Sequence, residues 1–116
     1  MLSKGIRGAI TVDANTEYAL KEATLELLSE LVEKNNIEEN DISHAFFTLT
    51  EDLNAGFPAK YARLDFGWKN VAMMCHHELN VPNSLKMCLR VLVVVNCGEE
   101  FEPEFVYLKG ASKLRG

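Results

Sequence analysis

The residues best suited to chemistry lie in one stretch, Cys75-His76-His77-Glu78, with Arg90 after it at the mouth of the apolar run Val91-Leu92-Val93-Val94-Val95. Three chemistries are open to such a set. Cys, His and Glu are metal donors, but with Cys88 and Cys97 added the spacing fits no familiar zinc pattern. Adjacent residues of a strand also point to opposite faces, so no metal is expected. Cys75 and His77, two apart, would share one strand face as a nucleophile and its base, yet no Asn or Asp stands ready to orient the base. The third chemistry is anion binding. A guanidinium cannot shed its charge to suit a dry site, so something anionic must meet Arg90. That group is either Glu78 itself or the carboxylate or oxygen of a ligand whose other end Glu78 holds.

The arginines support an anion site. There are four, Arg7, Arg63, Arg90 and Arg115, and Arg7 and Arg90 fall in apolar, strand-like surroundings. The planar guanidinium fork suits bidentate contact with carboxylates. Lys60 and Arg63, three apart on a short helix, are neighbours and on spacing alone read as a solvated basic face. Glycine-rich phosphate loops are absent, and Tyr107 in a strand reads as core or interface.

These residues need a frame. Gly5 to Val12 reads as a strand with Ile6, Ile10 and Val12 on one face and Arg7, Ala9 and Thr11 on the other. Asp13 to Thr16 is a turn, with Asn15 or Thr16 as a helix cap. From Glu17 to Asn35, Leu20, Ala23, Leu27, Leu28, Leu31 and Val32 recur at helical spacing. Ile42 to Thr50 is strand-like, Pro58 opens a short helix through Leu64, and Val71 to Cys75 forms a short strand. Ser84 to Met87 is a turn or short helix. The strand Cys88 to Cys97 is apolar on both faces and is expected to be buried on both. Glu104 to Leu108 is a further strand, and the tail from Gly110 is expected to add a last short one. The order gives an α+β fold, one main helix covering a mixed sheet.

Length and composition set the outer bounds. With 116 residues the chain is expected to form a single domain, residues 1–116, with one core. A net charge of −5 without a basic tract argues against nucleic acid as a partner. No apolar run approaches bilayer length, so no membrane association is expected. The first residues lack the apolar core of a signal peptide, and three cysteines at irregular spacing suit reduced thiols in the cytoplasm.

One family carries the same set in the same order. Gly5-Ile6-Arg7-Gly8-Ala9, Phe57-Pro58-Ala59-Lys60 with Arg63, Gly67-Trp68, Cys75 with Glu78, Leu85-Lys86 with Cys88 and Arg90, Tyr107-Leu108 and Leu114-Arg115 together closely resemble the monofunctional chorismate mutases of the Bacillus type. The resemblance implies a homotrimer with a pseudo-α/β-barrel core and active sites between subunits. It also implies rearrangement of chorismate to prephenate in aromatic amino-acid biosynthesis, without a cofactor. By the same resemblance, Arg90 meets the ether oxygen and a carboxylate, Arg7 and Tyr107 meet a carboxylate, and Glu78, helped by Cys75, accepts the ring hydroxyl. Phe57, Ala59, Lys60 and Arg63 come from the neighbouring subunit, and Leu114 and Arg115 lie near the mouth. Met74 touches substrate where some members carry threonine.

Such a reaction is intramolecular and pericyclic, so it needs no nucleophile, metal or proton relay. A millionfold acceleration asks for about 8 kcal/mol, within reach of a few charged hydrogen bonds and conformer selection. Two other functions suit an arginine on a carboxylate: a trimeric imine deaminase-like enzyme and a non-catalytic small dicarboxylate-binding module.

Overall fold

The structure is a computed structural model that describes residues 1–115; Gly116 and the side chain of Arg115 lie outside the described residues. Strand β1 (Leu2–Thr11) leads through a turn into helix α1 (Glu17–Asn35). A short 3-10 turn (Glu39–Asp41) precedes β2 (Ile42–Leu49), and helix α2 (Pro58–Leu64) joins it to β3 (Ala72–His77). Strands β4 (Cys88–Cys97) and β5 (Val106–Leu108) follow, and the chain closes in a 3-10 helix, Lys109–Arg115. The strands form one mixed sheet in the order β3-β2-β4-β1-β5. The central strand β4 runs antiparallel to β1 and β2, whereas β3 and β5 pair parallel to β2 and β1 at the edges.

Helix α1 forms where its apolar spacing predicts. The Thr16 side chain caps it by accepting from the Ala19 amide at 3.1 Å. Its far end closes on Asn36 in the left-handed conformation, at φ 49°. Leu20, Leu27, Leu28 and Leu31 are fully buried against the sheet, with Ile6, Ile10, Phe47, Leu89 and Val93 in the same core. Asn35, at the last turn, is buried and donates to the Glu104 carbonyl while accepting from the Glu104 amide at 2.7 Å. The pair fixes the approach of β5, and with it Tyr107, to the edge of the sheet.

Three expectations from sequence need correction. The β4 strand is buried on one face only. Leu89, Val91, Val93 and Val95 point under α1, but Leu92 on the other face is 38% exposed, beside Phe46 at 37%. Among the described residues no element covers the middle of that second face, so the expectation of a strand buried on both sides fails within one chain. The tail is a 3-10 helix and not a strand. Lys109 takes φ 52°, which breaks the extended run, and the Gly110 amide then donates to the Thr11 hydroxyl at 3.0 Å. Ala111 is thereby buried against Ala9 and Cys88. The last strand is also shorter than Glu104 to Leu108, because the Glu104 backbone is spent on Asn35. Between Ser84 and Met87 the chain turns without forming a helix.

Gly8 lies where α1 crosses β1. A Cβ there would stand 3.1 Å from a Leu31 methyl, 3.2 Å from one of Leu27 and 3.3 Å from one of Val91. Gly8→Val adds two further methyl groups to this contact and is expected to cost about 1–3 kcal/mol, as overpacking does. Urea unfolding measures it; a variant as stable as wild type would show that α1 can slide outward freely.

Candidate active site

Sheet register builds the site. Arg90 on β4 pairs with Ala9 on β1 and Thr48 on β2; Ala9 pairs onward with Tyr107, and Thr48 with His76. One row across the uncovered face therefore reads His76, Thr48, Arg90, Ala9, Tyr107. The next row carries Met74, Phe46, Leu92 and Arg7. The small side chains of Ala9 and Thr48 flank Arg90 and leave room beside its guanidinium. A cavity of about 270 Å³ opens there, lined by Arg7, Gly8, Ala9, Phe46, Thr48, Glu78, Arg90, Val91, Leu92 and Tyr107. That volume stands just below the usual range for small-molecule sites, which begins at about 300 Å³.

Within the cavity the charged groups are held but not satisfied. Glu78 is placed by its own amide, which donates to the Leu49 carbonyl at 2.8 Å. Its carboxylate accepts from the Thr48 hydroxyl at 3.0 Å and from the Leu79 amide at 3.2 Å. Arg90 Nε stands 3.5 Å from Glu78 Oε2, an ion pair with both side chains 27% exposed. That separation is too long for a good hydrogen bond. Among the described residues, Arg90 Nε and Tyr107 Oη are buried without any hydrogen-bond partner. Arg7 reaches over the Tyr107 ring, its guanidinium carbon 6.0 Å from the centroid, at the outer limit of a cation–π contact. Two guanidinium groups and a phenol thus face one carboxylate across an open space, which suits an anionic ligand that also offers a hydroxyl.

The remaining candidates lie elsewhere. Cys75 pairs with Phe47 on the helix-covered side of the sheet, whereas Glu78 turns to the other face. Within one chain Cys75 and Glu78 therefore face opposite sides of the sheet. It lines a separate depression of about 360 Å³ with Phe57, Ala59, Lys60, Arg63, Met73 and Met74. Lys60 and Arg63 are exposed there, on α2. Leu114, like Tyr107, packs against the cluster of Ala9, Cys88 and Ala111, on the sheet face that carries Arg90. Arg115 is the last described residue, and its side chain lies outside the described residues. Thr48 and Phe46 were missed from sequence. The alternation Phe46-Phe47-Thr48-Leu49 does show that they share a face, but not that this face carries Arg90.

Cys75 and Cys88 are poorly suited to nucleophilic work. Burial pushes the Cys75 thiol up from its ordinary value, and burial does the same to Cys88 against a partial offset from the Arg90 side chain. Among the described residues no three His, Cys, Asp or Glu side chains gather as metal ligands would. No helix among them is long and apolar enough to cross a membrane.

Fold and site define a one-sided α+β sheet with an arginine-lined anion cavity on its open face. The same architecture is found in a solved chorismate mutase from Clostridium thermocellum, with a TM-score of 0.90 and 45% identity, covering 95% of this chain and 98% of that one. Two curated relatives, both named chorismate mutase AroH, match over nearly the whole length. The Bacillus subtilis protein is 36% identical over 99% of this chain and 91% of its own. The Thermus thermophilus protein is 40% identical over 97% and 93%. The family model for chorismate mutase type I matches residues 3–116, and the chain belongs to that family.

The raised thiols give a pH prediction. The folded state holds these protons more tightly than the unfolded chain, so their contribution to stability is complete below the ordinary thiol value of 9.0 and is lost as pH rises above it. The thermal midpoint should hold steady from neutrality to about pH 8.5 and fall beyond about pH 9. Cys75→Ala with Cys88→Ala should flatten the fall. An equally steep decline in that variant would assign it to other groups, such as Tyr61, which burial also pushes up.

Proposed function

We propose that this chain is a chorismate mutase whose open sheet face binds chorismate and rearranges it to prephenate, with Arg90 as the central catalytic residue. One observation carries the assignment of the site: Arg90 Nε and Tyr107 Oη, on residues that line one cavity, are buried without a hydrogen-bond partner among the described residues. A buried donor left without an acceptor costs about 1–3 kcal/mol, a cost the fold bears where a ligand is to bind.

The substrate is a dicarboxylate with a ring hydroxyl and an ether oxygen. Arg7 and Tyr107 take one carboxylate. Glu78, already oriented by Thr48 and the Leu79 amide, accepts the ring hydroxyl. Arg90 sits between them and donates to the ether oxygen and the second carboxylate. As the C–O bond breaks, negative charge gathers on that oxygen, and a fixed guanidinium stabilises it without reorganisation. Holding the chain of the substrate over its ring supplies the rest of the acceleration. No proton is transferred in such a rearrangement. The chemistry requires neither a cofactor nor a metal. The reading places the reaction in the cytoplasm, in the biosynthesis of aromatic amino acids.

The cavity is open on one side, and the residues of the second depression belong to the same resemblance. We infer that three copies assemble with their uncovered faces inward, forming the pseudo-barrel core. Each Arg90 cavity is then walled by Phe57, Ala59, Lys60, Arg63, Met74 and Cys75 of a neighbour. This explains why Leu92 and Phe46 are exposed in one chain, and why Cys75 and Glu78 can meet one ligand from opposite faces of different sheets.

Arg90→Lys should keep the fold but lose most of kcat, because a point charge cannot reproduce the fork. Loss of chorismate absorbance measures this, and near-wild-type turnover would remove Arg90 from the central role. Glu78→Gln should cost little stability and much rate. The shared site has its own test. Arg90→Ala and Arg63→Ala proteins, each weak alone, should regain activity when unfolded and refolded together, since about a quarter of the sites in a randomly mixed cyclic trimer carry both intact halves. No regain would confine the site to one chain.

A further inference from the structure

Glu78 and Arg90 stand at the two ends of one exposed loop, and the chain there is held from outside the cavity. Met87, just before β4, has φ 51°, a left-handed conformation that a non-glycine residue adopts only under constraint. Both of its backbone groups are taken. Its carbonyl accepts from the Val12 amide at 2.7 Å, and its amide donates to the Asp52 carboxylate at 3.2 Å to Oδ1 and 3.0 Å to Oδ2. The Thr50 hydroxyl donates to Asp52 Oδ1 and accepts from the Cys88 amide at 3.0 Å. The Thr50 amide donates to the Cys88 carbonyl at 3.1 Å. Four contacts from Thr50 and Asp52 thus clamp Met87 and Cys88, while the adjacent Leu49 carbonyl holds the Glu78 amide at the other end of the loop.

We propose that Asp52 is a positioning residue for the reaction, acting through the Met87–Cys88 clamp to set where β4 begins and so where the Arg90 guanidinium lies relative to Glu78. Asp52 is exposed and does not line the Arg90 cavity. Its carboxylate nevertheless gathers the loop end into the one conformation that puts Arg90 opposite Thr48 and Ala9. The bond from the Met87 amide holds the left-handed turn; without it that residue relaxes toward an extended backbone and the strand start shifts. The inference rests on the Arg90–Glu78 site proposed above, and Arg90→Lys, assayed in parallel, tests that site separately.

The experiment is steady-state turnover of chorismate by Asp52→Ala, Asp52→Asn and Thr50→Val, with thermal unfolding of each. Displacing a catalytic group by a fraction of an ångström is expected to lower kcat by at least about tenfold in Asp52→Ala, with KM changed by no more than about threefold. The unfolding midpoint of this surface substitution should move by less than about 5 °C. Asp52→Asn keeps an oxygen for the Met87 amide and should recover most of kcat; Thr50→Val should show a smaller loss of the same kind. Should Asp52→Ala fail to fold, Thr50→Val decides. Unchanged kcat in Asp52→Ala or, where that protein is unfolded, in Thr50→Val overturns the positioning role, provided Arg90→Lys is crippled. So does an Asn variant as slow as the Ala variant, or a rate loss fully matched by loss of folded protein.

Discussion

A guanidinium that cannot be discharged, half-buried on a sheet, is the constraint around which this protein is arranged. Arg90 lies on the central strand, so its neighbours are fixed by register on both sides. Larger side chains than Ala9 and Thr48 would close the space beside it. Glu78 stands near enough to balance its charge, at 3.5 Å, yet too far to satisfy its Nε donor. A fully made salt bridge would be more comfortable for the apoprotein and would leave nothing for a ligand. A missing carboxylate would leave a desolvated charge costing several kcal/mol. The observed pair lies between these extremes, keeping the charge tolerable and its donors available.

The same one-sidedness explains what was and was not legible in the sequence. The helix from Glu17 to Asn35 was readable because its leucines recur at a helical period and Thr16 caps it; both signals are local. The strand Cys88 to Cys97 was equally clear as a strand, but its apolar residues on both faces do not say what covers each face. One face is covered by α1. The middle of the other meets no element among the described residues, and what would cover it leaves no pattern inside one sequence. The tail failed for a related reason. Tyr107-Leu108 is strand-like, but the turn at Lys109 depends on the hydroxyl of Thr11, almost a full chain away.

Site residues followed the same division. Arg7, Arg90 and Tyr107 are brought together by strand pairing, and Glu78 reaches them from the loop after β3. The two arginines announced an anion site, whereas Tyr107 was read as core or interface until the family resemblance gave it a role. Cys75 and Glu78 were paired by the family resemblance, and within one chain β3 is extended up to His77. An odd spacing from a strand leaves them on opposite faces of the sheet. Thr48 was passed over for the converse reason: nothing local distinguishes a strand threonine that orients a carboxylate from one that faces water.

The chemistry asked of this site accounts for how little reactive machinery it holds. A pericyclic rearrangement carries its own electrons, so a nucleophile or a mobile proton would add only side reactions. On the proposed mechanism it is accelerated by charge fixed in advance, which a register-locked arginine on a central strand would provide. The demand then moves from reactivity to geometry. A misplaced guanidinium loses its advantage steeply with distance in a dry cavity, because the interaction there is less screened than in water. A fold serving this reaction must therefore invest in holding the ends of β4 and of the loop from Glu78. Bonds outside the Arg90 cavity, such as those of Asn35 to Glu104 and of Thr50 to Cys88, hold the chain at β5 and at the start of β4.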